Sequence, residues 1–132
     1  RELAEELGVE ADAEALILLG ERRLVDDSGE GTLNKELTSV FLLRDDRPLT
    51  EYVLQSAEVD AVFDASIEEL LRLFDGSIKK LELSGVANAG SPQAKPIIVQ
   101  VALEDFVPGS SYWVNLFVMS ERFINGQSPL AI

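Results

Sequence analysis

Between Asp26 and Leu37 the chain reads DDSGEGTLNKEL, a stretch crowded with oxygen-bearing side chains and punctuated by Gly29 and Gly31. Carboxylates, hydroxyls and amides are hard donors, the type that suits calcium better than a soft transition metal. The same residues also suit a solvated turn, where Asp, Ser and Gly are favoured. Elsewhere the side-chain inventory narrows the chemistry. The chain has no Cys and no His. That excludes disulfides, a thiol nucleophile, thiolate and imidazole metal sites, and the Ser-His-Asp arrangement. Catalysis would have to rest on carboxylates, Lys, Tyr or Ser. A carboxylate-dependent hydrolase therefore stands only as an alternative, and it would need a cleft holding two or more acids. Asp45-Asp46 and Glu68-Glu69 are adjacent in sequence, so neither pair converges on one point of a helix or strand. VANAGS, with Gly90 alone, lacks the glycine spacing of a phosphate-binding loop.

Counted from Asp26, the acidic stretch resembles an EF-hand calcium loop. Asp26, Ser28 and Glu30 fall at the first, third and fifth positions, Gly31 at the sixth, and the apolar Leu33 at the eighth. The resemblance implies a calcium site built from Asp26, Ser28, Glu30, the Thr32 carbonyl and Glu36, with a helix on either side. It departs from the pattern at its end, where Leu37 holds the twelfth position and Glu36 stands one residue early. With a corner of the cage missing, the affinity would be weak. The alternative is a polar turn, with SGEG tipping a β-hairpin that runs on from RRLV.

The aromatic residues concentrate at Tyr112, Trp113 and Phe117 in YWVNLFVMS. They are the candidate partner contact, because aromatic anchors dominate binding energy at protein interfaces. The segment is apolar on both faces and rich in strand formers, so a central strand is expected there. The following LFVMSERFINGQSPLAI resembles the C-terminal motif of antitoxin domains that bind RES-type toxins. Leu116 and Phe117 stand for its aromatic-aliphatic pair, and Ile124, Gly126, Pro129 and Leu130 for its closing run. That resemblance implies a toxin-binding domain of helical character.

The elements that must position these residues begin with RELAEELGVEADAEALILLGERRL. Leu3, Leu7, Ala13, Leu16, Ile17 and Leu19 recur at helical spacing, with a break at Gly8-Val9, so residues 1–25 are expected to be helical. Residues 1–20 carry six acids and one base, which excludes a DNA-reading helix that needs Arg, Lys, Asn or Gln at base edges. TSVFLL (38–43) is β-branched and apolar, and the RDDRP that follows is turn chemistry. LTEYVLQS (49–56) fits helix or strand. EVDAVF puts Val59, Ala61 and Phe63 on one strand face. SIEELLRLFDG has Ser66 at an N-cap, Glu69 three residues on, apolar residues at Ile67, Leu70, Leu71 and Phe74, and Gly76 as a stop. KKLELSG and PIIVQVALEDF alternate as strands, and the first closes a compact βαβ unit. Asn125-Gly126 is a strong hairpin signal.

These elements predict an α+β fold in a single domain, 1–132. A helical N-terminal segment (1–25) precedes a sheet-forming body (38–132). One mostly antiparallel sheet of four to six strands would be covered by the capped helix at about 66–75 and by the N-terminal segment. A β-sandwich with a helical N-terminal extension is the alternative. The chain opens on Arg1 and not on Met, so a longer parent chain is expected. No apolar run approaches the ~20 residues that span a bilayer. A soluble protein is expected, cytoplasmic by default, with secretion left open.

Formal net charge is −13, with 21 acids against 9 bases in residues 1–85 and 3 against 2 in residues 86–132. Such a field repels nucleic acid and anionic membranes and favours a basic partner. The leading expectation is a non-catalytic interaction or assembly module that presents an acidic surface to a basic protein. A weak calcium-binding module is the next, and calcium is the one cofactor it would take.

Overall fold

The computed structural model describes residues 2–27, 33–55 and 57–131. The chain is α+β, with three α-helices and two small antiparallel sheets among the described residues. The expectation of one sheet with four to six strands is corrected, since the sheets have two and three strands. The chain forms two compact units, one from residues 1–13 and 45–108, the other from residues 14–44 and 109–132.

In the first unit, helix α1 (Glu2–Leu7) stops at Gly8, whose φ of 67° favours glycine. An extended strap then satisfies the carbonyls that its last turn leaves open. Val53 N–H donates to Leu7 and Gln55 N–H to Glu6, each at 3.0 Å, while Leu54 N–H donates to Ala89 at 3.0 Å. Gly8 and Gly90 flank the strap closely. A Cβ on Gly8 would stand 2.8 Å from Val53 Cβ, and one on Gly90 2.7 Å from Val53 Cα. The ambiguous LTEYVLQS is thus a 3₁₀ turn (Leu49–Glu51) followed by extended chain.

The rest of this unit is β3 (Ala61–Asp64), α2 (Ile67–Phe74), β4 (Leu81–Ala87) and β5 (Lys95–Val101), in the sheet order β3-β4-β5. The alternating patterns hold. Leu81 is buried and Leu83 half-buried with Glu82 and Ser84 exposed, and Ile97, Val99 and Val101 are half-buried with Ile98 and Gln100 exposed. Ser66 caps α2 by accepting the Glu69 N–H at 3.4 Å, and the helix ends with Gly76 N–H on the Leu73 carbonyl. Leu73, at 1% exposure, is the deepest side chain of the apolar face, and Phe74 meets Phe106 edge to face at 5.1 Å. The βαβ expectation is corrected. β3 and β4 pair antiparallel, Ala61 opposite Ala87 and Asp64 opposite Ser84, so the helix joins neighbouring strands without a parallel crossover.

The second unit holds β1 (Ile17–Asp27), β2 (Leu33–Leu42) and α3 (Ser110–Ile124). Two expectations are corrected here. The helical reading of residues 1–25 holds only at Glu2–Leu7 and, as a 3₁₀ turn, at Ala13–Ala15, and Ile17–Asp27 is a strand paired with Leu33–Leu42 from Ile17 opposite Leu42 to Asp27 opposite Leu33. The register shifts between Leu18 and Gly20, so Leu19 is an extra residue in the ladder, and it is buried at 3% exposure beside the exposed Leu18. The strand expected at YWVNLFVMS is instead α3, and Asn125-Gly126 closes that helix and forms no hairpin. Gly126 (φ 68°) sends its N–H to Phe123, and Gln127 N–H reaches Arg122 at 2.8 Å, the paired bonds of a Schellman cap. With α3 helical, the 38–132 stretch is not uniformly sheet-forming.

Candidate functional site

The hairpin residues come first. Asp26 lies opposite Asn34 in the β1–β2 ladder, and Glu36 lies opposite Leu24. An EF-hand loop is held between two helices, whereas this one runs between two strands, as the alternative hairpin reading expects. Ser28, Glu30 and Thr32 lie outside the described residues. Among the described residues, no three His, Cys, Asp or Glu side chains gather as a metal-holding group.

The aromatic trio lies on α3. Tyr112 and Trp113 are half-buried and Phe117 is 8% exposed. Tyr112 meets Trp113 edge to face at 5.3 Å, and Trp113 stacks on Phe117 at 6.1 Å. The i, i+4 spacing of Trp113 and Phe117 puts both rings on one helix face. The Arg22 guanidinium of β1 stands 3.9 Å from the Tyr112 ring centroid, holding the start of α3 against the hairpin sheet by a cation–π contact. Residues 112–117 therefore form a structural cluster with part of each of Tyr112 and Trp113 at the surface. Leu116 and Phe117, the pair named in the antitoxin resemblance, lie on this helix.

A third cluster was not legible as a site. Arg47 Nε donates to Asp45 Oδ1 at 2.9 Å, and the Arg47 backbone N–H donates to the same oxygen at 3.3 Å. The Tyr52 hydroxyl donates to Asp45 Oδ2 at 3.3 Å. The Asp45 side chain is 18% exposed and that of Arg47 28%. Burial is the largest single influence on the Asp45 carboxyl and pushes its pKa up. The Arg47 hydrogen bonds and charge, with the Tyr52 hydroxyl, together outweigh it, so the carboxyl titrates below its ordinary value. Burial first, then the Asp45 charge and hydrogen bond, push the Tyr52 hydroxyl upward. Near neutral pH the acid stays ionised and the phenol stays protonated. The three side chains form a clasp, not an acid–base pair poised to exchange a proton. The sequence signal was the Asp-x-Arg step in RDDRP, where an Asp side chain closes a turn on the second backbone N–H ahead.

One open groove of about 370 Å³ lies against the strap, lined by Ala4, Glu5, Gly8, Val53, Leu54 and Gln55. Its lining offers apolar surface, one amide and a single carboxylate, which is too little to fix a reaction class. No helix among the described residues is long and apolar enough to cross a membrane.

Comparison with known proteins found no matching family model, no similar curated protein and no similar solved structure.

Proposed function

We propose that this chain is a non-catalytic protein-interaction module whose first unit receives a basic partner. The observation that carries this reading is the placement of charge. Residues 1–13 and 45–108 hold 17 acids against 6 bases, a balance of −11, while residues 14–44 and 109–132 hold 7 against 5, a balance of −2. From the segment before β3 to the first turn of α2, Glu58, Asp60, Asp64, Glu68 and Glu69 are all exposed. Carboxylates at that density attract a cationic surface over about a Debye length, ~10 Å at 0.1 M salt, and speed its encounter.

The test is binding of a fluorescent Lys/Arg-rich peptide, measured by anisotropy at low and high salt. The reading expects binding at low salt that weakens as salt rises, and its loss in the charge-reversed variant Asp60→Lys/Asp64→Lys/Glu68→Lys. Binding indifferent to both salt and charge reversal would sink it, and so would no binding at low salt. The toxin-binding reading is also a protein-interaction module, but its contact would be α3 of the second unit in place of the acidic surface of the first.

A further inference from the structure

We draw no further inference here: the strongest candidate, the outer face of the β1–β2 hairpin where Leu18 and Phe41 stand opposite each other at 56% and 48% exposure, is an unpartnered apolar patch, and nothing in the structure shows what covers it.

Discussion

Gly85 of β4 is buried directly opposite Phe63 of β3, and the Phe63 ring occupies the space where a side chain on Gly85 would stand. A Cβ there would overlap both that ring and the Val62 carbonyl oxygen. The ring can rotate away, but the carbonyl belongs to the sheet ladder and cannot. Gly85→Ala is therefore expected to destabilise the protein by about 1–3 kcal/mol, the usual range for overpacking. The entropy that Ala saves over Gly, roughly 0.5–1 kcal/mol, offsets only part of that. Urea unfolding followed by circular dichroism measures it. An unchanged midpoint would mean that β3 is not held against β4 in this register.

The clasp of Asp45, Arg47 and Tyr52 has a pH window with two limits. Asp45 is depressed, so its contribution is present above the unfolded carboxyl value of about 4 and is lost as pH falls through the folded value. Tyr52 is raised, so its contribution is present below about 10 and is lost as pH rises through the folded value. Both side chains of the ion pair are partly solvated, which keeps the expected size to about 1 kcal/mol or less. Urea midpoints across pH should be flatter at the acid end in Asp45→Asn and at the alkaline end in Tyr52→Phe. Identical profiles in all three proteins would remove the clasp from the account.

Arg22 and Tyr112 should be energetically coupled. A double-mutant cycle with Arg22→Met and Tyr112→Leu, read through the fluorescence of Trp113, is expected to return about 0.5–1 kcal/mol. Additivity within about 0.3 kcal/mol would make the 3.9 Å contact incidental.

Loss of the Ser66 cap leaves an orphaned N–H at the start of α2. Ser66→Ala should cost about 1 kcal/mol, whereas Ser66→Asp, which keeps an acceptor at the same position, should cost little. Equal losses in the two variants would show that the hydroxyl does not cap the helix.

The acidic hairpin can be tested with calcium directly. A loop carried between strands is expected to give the same thermal midpoint in millimolar calcium as in millimolar magnesium. A selective calcium shift, abolished by Asp26→Ala, would establish the site at Asp26, Ser28, Glu30, Thr32 and Glu36. Even a Kd of roughly 0.1 mM would stabilise the folded state by about 1–2 kcal/mol at that concentration, enough to see.

The sheet of the first unit was legible because local signals agreed there. Alternation marked β4 and β5, and an N-cap and a C-terminal glycine bracketed α2. In the second unit TSVFLL marked the later half of β2, but β1 and α3 were not legible, for two physical reasons. The extra residue at Leu19 breaks the period-two pattern of β1, so Leu16, Ile17 and Leu19 imitate a helical face. In α3, Tyr112, Trp113 and Val114 favour strands locally, and packing of the Trp113–Phe117 face overrode that preference. Asn-Gly then fitted a helix cap as well as a hairpin turn, because both need the positive φ that Gly126 supplies. Of the candidate sites, the trio at 112–117 was visible as a cluster but not as a helix face. The clasp at 45–52 stayed hidden, because Tyr52 meets the local Asp45–Arg47 turn only once the chain has passed Pro48.

The strap also sets an order of events for a chain made from its N-terminus. Helix α1 is too short to hold itself together in water, and the backbone donors that close its last turn belong to Val53 and Gln55. The strap in turn leans on Ala89, later still. While the ribosome is working through β1 and β2, the Val53 and Gln55 donors that close α1 have not yet been made. The residues of α1 can settle only when synthesis has passed the turn at residues 88–90, so the helix, made before the strap, folds after it.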